Sequence, residues 1–135
     1  MFNDMNEGWL EHHVISQRVE GKGGQFAISN WRDVAPESDG QGAVRWQQLG
    51  REGEVGSLRA MLAIERESVQ PGGQTRARCE EFEQVYYVLE NAGVLVDEDG
   101  EQSLTEGDMV HLPAGSRYSI KNPNEAWLVY MIMAA

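Results

Sequence analysis

The chain has 135 residues, of which 41% are hydrophobic, and this is enough to bury one core in a single domain. Its 22 acidic and 11 basic side chains give a formal charge of -11, which would repel phosphate backbones and anionic lipid, so neither nucleic acid nor a membrane is an expected partner. The single cysteine, Cys79, cannot form an internal disulfide, and the N-terminus lacks the basic start and apolar run of a signal peptide. We therefore expect a cytoplasmic protein.

Residues 1–42 are expected to form an N-terminal arm that packs on the rest of the chain or on a partner subunit. The segment EGWLEHHVISQRV fits either an amphipathic helical turn or an edge strand, QFAISNW is expected to be a strand, and GKGG and APESDGQG are expected to be loops. Burial of Phe26, Ile28 and Trp31 would keep the arm ordered. A second copy of the chain would most simply cover it, so we expect a homodimer.

From residue 43 onward, short segments rich in β-branched and aromatic residues alternate with turns rich in Gly, Pro and Asn. The predicted strands are AVRWQQL, SLRAMLAIERESV, QTRARCE, QVYYVLE, GVLVDE, DMVHLP, RYSIKN and AWLVYMIM. No stretch between residues 43 and 135 keeps apolar residues at helical spacing over three turns. The pattern predicts an all-β fold.

The segment GDMVHLPAGSRYSIKN carries a specific spacing of turn residues: Gly107, Pro113, Gly115 and Asn122. It resembles the second cupin motif, which reads glycine, five residues, proline-x-glycine, two residues, histidine, three residues, asparagine. Every fixed position is met except the histidine, where Tyr118 stands.

The segment RARCEEFEQVYYVLENAG resembles the first cupin motif, and its flanks QPGG and YYVLENAG fix the register. Cupins place two histidines and a glutamate here, and the second motif adds a third histidine. In this chain those four positions hold Arg78, Glu80, Gln84 and Tyr118.

The resemblance implies a cupin double-stranded β-helix, a jelly-roll barrel, over residues 43–135. It also implies a ligand cavity between the two sheets and, in most relatives, a dimer. It does not imply one reaction, because cupins include oxygenases, decarboxylases, isomerases, cyclases and proteins that only bind a ligand. The function must therefore be argued from the residues of the site.

The substituted residues suit acid–base chemistry better than metal binding. A guanidinium at position 78 cannot ligate a metal ion and repels it, so we expect no metal and no other cofactor. Glu80 could act as a base, Tyr118 as an acid, and Arg78 could stabilise the charge on a ligand oxygen. The remaining residues expected to bind the ligand are Gln84, Tyr86, Ile120 and Met131.

Three alternatives stay open. Arg78 and Glu80 could pair with each other and fill a vestigial cavity. A register shifted by one would bring Cys79, Glu81 and Glu83 to one face of a strand, with His111 nearby, as a divergent metal site. As a lone histidine without a visible carboxylate partner, His111 is instead expected to be a packing or hydrogen-bonded structural residue rather than a base.

Together these features predict a metal-independent cupin that acts on a small carbonyl-containing or aromatic molecule as an isomerase, cyclase or lyase. The alternative is a cupin that binds a small molecule without converting it, as a sensor, carrier or partner protein. A metal-dependent dioxygenase or lyase with a divergent site is the third prediction.

Overall fold

The structure is a computed structural model that describes residues 26–53 and 56–135. Within these ranges the chain forms one short 3₁₀ helix and ten strands. They are the 3₁₀ helix Trp31–Asp33, β1 (Glu37–Ser38), β2 (Ala43–Gly50), β3 (Ala63–Val69), β4 (Arg78–Cys79), β5 (Gln84–Glu90), β6 (Ala92–Asp97), β7 (Gly100–Thr105), β8 (Met109–Leu112), β9 (Arg117–Lys121) and β10 (Leu128–Ala134).

The strands pair antiparallel into two sheets. The larger sheet has the order β1-β2-β3-β10-β5-β8, and the smaller has the order β4-β9-β6-β7. Buried side chains from both sheets form one core, so the sheets pack face to face. The expected all-β jelly roll is confirmed.

Strand alternation decides which side chains reach the core. On β10, Leu128, Tyr130 and Ile132 are 0% exposed, whereas Met131 between them points to the opposite face and is half-buried. At Gly93 on β6, an added Cβ would lie 2.4 Å from Leu128 Cδ2. The two sheets therefore approach too closely at this point for a larger residue.

Several predicted elements differ from the observed ones: the expected loop APESDGQG contains β1, and the predicted strand SLRAMLAIERESV begins only at Ala63. Residues 26–30 of QFAISNW are not a strand, and the segment turns into the 3₁₀ helix, whose N-terminus is capped by the Asn30 side chain accepting from the Arg32 amide at 2.9 Å. β7 was not predicted at all. Its sequence GEQSLT is mostly polar because it forms the edge of the smaller sheet, where only Leu104 is buried.

The expected N-terminal arm lies mostly outside the described residues, including the segment EGWLEHHVISQRV. Of its three apolar residues, Phe26 is 82% exposed in the single chain, and Ile28 and Trp31 are half-buried. The Trp31 ring packs edge-on against Trp46 of β2, with 5.1 Å between ring centroids. Within the described ranges, no helix has the length and apolar character needed to cross a membrane.

Candidate functional site

Arg78 is held by a buried carboxylate from the opposite sheet. Its Nη1 donates to Glu67 Oε1 at 2.7 Å and its Nη2 donates to Glu67 Oε2 at 2.6 Å. Glu67 is 1% exposed, and β3 directs it inward in register with Arg45 of β2 and Tyr130 of β10. A bidentate pair of this kind fixes the plane of the guanidinium and balances its charge.

A chain of hydrogen bonds leads from Arg78 to the other motif positions. Arg78 Nη1 donates to Tyr86 Oη at 3.1 Å, the hydroxyls of Tyr86 and Tyr118 are 2.7 Å apart, and Tyr118 donates to Gln84 Oε1 at 2.8 Å. A hydroxyl has only one proton to donate, so the hydrogen between the two tyrosines belongs to Tyr86. The chain therefore runs in one direction, from Arg78 to Gln84.

Tyr86, Tyr118 and Tyr130 pack together in the barrel beside the Arg78–Glu67 pair. Tyr130 donates to Glu67 Oε1, and its ring stacks on Tyr86 with 5.0 Å between centroids. Burial raises the pKa of Tyr86, Tyr118 and Tyr130 above the usual value for a phenol; at Tyr118, burial outweighs the lowering effects of the Tyr86 hydrogen bond and the Arg78 charge. The three phenols therefore stay protonated at neutral pH.

A second guanidinium, that of Arg45, lies beside the same carboxylate. Its Nε is 3.4 Å from Glu67 Oε2 and its Nη1 is 3.3 Å from Glu65 Oε1. Burial raises the pKa of Glu65, and the nearby charge of Glu67 adds to this effect, while Arg45 opposes it. Charges of alternating sign thus run from Glu65 through Arg45 and Glu67 to Arg78.

A cavity of about 170 Å³ opens onto these charges. It is lined by Glu37, Ser38, Asp39, Arg45, Glu67, Arg78 and Glu80, and we call it the mouth cavity. Tyr86, Tyr118 and Gln84 are not part of its lining and lie behind Arg78 in the hydrogen-bonded chain. A ligand in the mouth cavity would therefore meet arginine and carboxylate groups before any tyrosine.

A protein-family model described as "Cupin domain" matches residues 65–134, which is more than half of the chain. The chain belongs to the cupin family. The match spans both segments that resemble the cupin motifs, so the family assignment made from sequence is confirmed. No curated protein is detectably similar to this cupin in sequence.

Solved structures agree on the fold. The polyketide cyclase RemF from Streptomyces resistomycificus has a TM-score of 0.69 at 19% identity, covering 82% of this chain and 79% of that one. A predicted oxalate decarboxylase from Thermotoga maritima has a TM-score of 0.66 at 19% identity, covering 79% and 96%. A sugar phosphate isomerase from Silicibacter pomeroyi has a TM-score of 0.58 at 24% identity, covering 70% and 59%. At these identities the likeness shows the cupin fold alone.

The structure brings the four substituted motif positions to one region but splits them into two groups. Arg78, Gln84 and Tyr118 are joined through Tyr86, whereas Glu80 lies on the mouth cavity, where it is half-buried. The alternative in which Arg78 pairs with Glu80 is not observed, because Glu67 occupies the bidentate position on the guanidinium.

The four residues expected to bind the ligand lie in different parts of the fold. Gln84 and Tyr86 belong to the hydrogen-bonded chain, and Ile120 is a core residue with 1% exposure. Met131 lies on the outer face of β10, in register with Arg66 on one side and Tyr87 on the other. Strand alternation therefore places Tyr130 in the barrel and directs Met131 away from it.

The donor set at the motif positions does not fit a divalent metal ion. Arg78 brings a cation to the centre of the set, Gln84 already accepts the Tyr118 proton, and Tyr118 stays a neutral phenol. Only Glu80 would be a good ligand. A metal ion at the motif positions would therefore have one strong ligand, Glu80, because Arg78, Tyr118 and Gln84 are joined by hydrogen bonds through Tyr86.

The shifted register does not assemble a metal site either. Among residues 26–53 and 56–135, no three His, Cys, Asp or Glu side chains are grouped closely enough to hold a metal. Cys79 Sγ approaches the Gly115 carbonyl at 3.6 Å, and His111 Nε2 is 2.7 Å from Glu83 Oε1. His111 thus has a carboxylate partner and is 57% exposed, so it is a hydrogen-bonded surface residue rather than a packed one.

Four residues of the network were not predicted from the sequence: Arg45, Glu65, Glu67 and Tyr130. A signal was present in β3, where AIERESV carries charges on both faces of a strand that pairs on both sides. A charge on the inner face of a central strand must find a partner in the core. The sequence does not reveal which strand supplies that partner, because β2, β3 and β4 meet only in the folded barrel.

Proposed function

We propose that this cupin is a metal-independent enzyme that moves a proton at the carbon beside a carbonyl group of a small molecule, with Glu80 as the base. One observation carries the proposal: Glu80, Arg45 and Arg78 line the same cavity. A carboxylate can accept a proton from carbon while a neighbouring cation stabilises the negative charge that develops on the carbonyl oxygen.

The carboxylate of Glu80 is available for this step. Within the described ranges, no side chain donates a hydrogen bond or forms an ion pair with it, and only its backbone carbonyl is engaged, accepting from the Gly115 amide at 2.7 Å. Glu80 takes the proton, and the electron pair of the broken C–H bond forms the C=C bond of an enolate. Return of the proton to the same carbon restores the ketone. In a hydroxy ketone the enolate is an enediolate; its hydroxyl proton passes to the enolate oxygen, and return of the carbon-bound proton from Glu80 to the neighbouring carbon then gives the isomer.

Tyr118 does not line the cavity and donates no proton to the ligand, and it acts on the reaction only through Arg78. Its hydroxyl already donates to Gln84 and accepts from Tyr86, and Tyr86 in turn holds Arg78. We assign Tyr118 the role of a positioning residue for the guanidinium. The fold is compatible with this chemistry, since a polyketide cyclase and a sugar phosphate isomerase are among the similar structures.

Hydrogen–deuterium exchange at carbon tests the proposal without knowledge of the natural substrate. The protein, treated with EDTA, is incubated in D₂O with hydroxyacetone, dihydroxyacetone or acetylacetone, and loss of the proton next to the carbonyl is followed by ¹H NMR. We expect the wild type to accelerate exchange of at least one of these compounds. The Glu80→Gln variant should be slower by roughly 100-fold or more, because general-base catalysis typically contributes at least that factor.

The matched control is Glu81→Gln, which removes the adjacent, exposed carboxylate that does not line the cavity. It should exchange at the wild-type rate. Loss of exchange after EDTA treatment would show a metal-dependent reaction, and equal rates in wild type and Glu80→Gln would remove Glu80 from the mechanism.

A cupin that only binds a small molecule is the second candidate. Arg78, Tyr86 and Tyr118 already form hydrogen bonds within the protein, and this favours a function in binding alone. Of the residues to which we assign acid–base chemistry, Glu80 alone then lies on the cavity wall. Ligand-induced chemical-shift changes at cavity residues, without exchange or turnover of any compound in the series, would favour this function over catalysis.

A further inference from the structure

The two arginines of the mouth cavity differ in how their hydrogen-bond donors are used. Arg78 makes three hydrogen bonds, and its side chain is 11% exposed. Arg45 lies 3.3 Å and 3.4 Å from the carboxylates of Glu65 and Glu67, but its guanidinium donates no hydrogen bond to any described residue. Its side chain is 28% exposed, and it lines the cavity.

The described part of the chain supplies Arg45 with two ion pairs, and within it no Arg45 nitrogen is buried without a hydrogen-bond partner, so its remaining N–H groups can be reached by solvent or by a ligand. Arg78 has at most two N–H groups left, whereas Arg45 can offer two parallel donors to one ligand oxygen or to two adjacent oxygens. Water or a ligand must therefore complete the hydrogen bonding of Arg45.

We infer that Arg45 is the residue that binds the ligand oxygen in the mouth cavity, and that this oxygen belongs to an uncharged carbonyl or hydroxyl group. The inference rests on the proposed function for the location of the ligand. It goes further by naming the contacting cation and by restricting the ligand class to neutral hydroxycarbonyl compounds.

The charges around the cavity favour a neutral ligand over an anionic one. Glu67 balances Arg78, and Glu65 is the partner of Arg45. Three carboxylates remain on the wall: Glu37, Asp39 and Glu80. Asp39 stays ionised because hydrogen bonds from backbone amides lower its pKa despite partial burial. A carboxylate or phosphate would meet this excess negative charge, whereas a neutral oxygen accepts from Arg45 without that repulsion.

The size of the cavity restricts the ligand further. A protein cavity of about 150 Å³ holds a molecule the size of benzene, so the mouth cavity at about 170 Å³ accommodates a ligand of similar size. Dihydroxyacetone and pyruvate suit a comparison, because they have the same number of non-hydrogen atoms and differ in charge.

The experiment titrates each probe into ¹⁵N-labelled protein and follows the Nε–Hε resonance of Arg45 by NMR. Dihydroxyacetone should shift this resonance, and pyruvate should bind at least about tenfold more weakly. Arg45→Gln should weaken dihydroxyacetone binding by roughly 10- to 100-fold, the usual effect of losing hydrogen bonds to a charged group. Arg59→Gln, an exposed arginine outside the cavity, should bind as the wild type does.

The wall charge is tested with Glu37→Gln, which should strengthen pyruvate binding relative to dihydroxyacetone. Glu98→Gln, an exposed carboxylate in the β6–β7 turn, is the control and should leave the ratio unchanged. Spectra of the free variants that match the wild type away from the substitution show that each variant is folded.

The outcomes separate this inference from the proposed function. Binding at Arg45 without carbon exchange contradicts the enzyme and supports the inference. Exchange with unchanged affinity in Arg45→Gln overturns the role of Arg45 and leaves the proposed function intact. Pyruvate binding as tightly as dihydroxyacetone overturns the uncharged ligand class. The absence of any Arg45 shift with either probe overturns the inference as a whole.

Discussion

At the scale of single residues, the site is organised around one carboxylate that the cupin motifs do not contain. Glu67 accepts hydrogen bonds from Arg78 and Tyr130 and lies in ion-pair distance of Arg45. A buried charge costs several kcal/mol of desolvation unless its partners are complete, so the arginine at a former ligand position and the glutamate on β3 are interdependent.

This interdependence predicts a large coupling energy between Arg78 and Glu67. Either Arg78→Met or Glu67→Gln should lower the free energy of unfolding by about 3–5 kcal/mol, because each deprives a buried charge of its bidentate partner. The double variant should lose less than the sum of the two single variants. Urea unfolding of all four proteins measures the cycle, and an additive double variant would mean that the pair contributes no coupling.

Glu65 gives a pH-dependent prediction. Burial raises its pKa in the folded protein above the unfolded value, with Glu67 adding to the rise and Arg45 opposing it. The folded state therefore favours the protonated acid, and the stability this provides is present below the unfolded pKa and is lost as the pH rises through the folded pKa. Glu65→Gln should consequently raise the Tm relative to the wild type at about pH 7, and the difference should shrink towards about pH 4.

Thermal unfolding from about pH 4 to about pH 7 measures the sign of the Tm difference between Glu65→Gln and the wild type. Arg45, Glu67, Arg78 and Glu37 are the charged groups that act on Glu65, and they are the same in both proteins. Glu98→Gln, which removes an exposed carboxylate, should follow the wild type at each pH. A Glu65→Gln variant that is less stable than the wild type near neutral pH would show that attraction to Arg45 outweighs burial.

At the scale of strands and turns, the structure shows why the motif glycines and asparagine are found where they are. Gly107 and Gly115 have φ angles of +92° and +85°, a region that favours glycine. Asn122 is 0% exposed, and its amide group donates to the carbonyls of Val69 and Ala126 and accepts from the Asn124 amide. It therefore fastens the loop between β9 and β10 to the end of β3.

Asn122→Ala should lower the free energy of unfolding by about 3 kcal/mol, since three hydrogen bonds at roughly 1 kcal/mol each are lost. Asn124→Ala, at an exposed position in the same loop, loses one side-chain hydrogen bond, to the Ala92 carbonyl, and should cost about 1 kcal/mol. Urea unfolding compares the two. Equal losses would mean that the loop is held by its backbone rather than by the buried amide.

Turn chemistry and alternation explain how much of the fold could be predicted. The spacing of Gly107, Gly115 and Asn122 fixed the register of β8 and β9, and segments rich in β-branched and aromatic residues between turns identified most strands. It was harder to predict which side chains of β10 point into the barrel, because Tyr130 and Met131 are both apolar enough to pack there. Only the pairing of β10 with β3 and β5 decides which of the two points inward. The partner of Arg78 could not be predicted, because it depends on contact between sheets rather than on local sequence.

At the scale of the whole molecule, the larger sheet presents an apolar outer face in the single chain. One row across this sheet joins Trp46, Arg66, Met131, Tyr87 and Met109 in register. The row ends at the edge strand β8, where Met109 is 66% exposed. A row of mostly apolar, half-buried side chains that ends in an exposed methionine at a sheet edge is a typical contact for a second molecule.

We therefore predict a homodimer that uses this face, since a second copy presents the same apolar row and closes a two-fold contact with itself. Size-exclusion chromatography with light scattering should give twice the chain mass at micromolar concentration. Met109→Glu should shift the mass to that of one chain, because a charge is introduced into the contact, while the circular dichroism spectrum stays unchanged. Gln102→Glu adds the same charge to the edge strand of the other sheet and should remain dimeric. A wild-type protein with the mass of one chain would refute the dimer, and a dimeric Met109→Glu variant would move the contact to another surface.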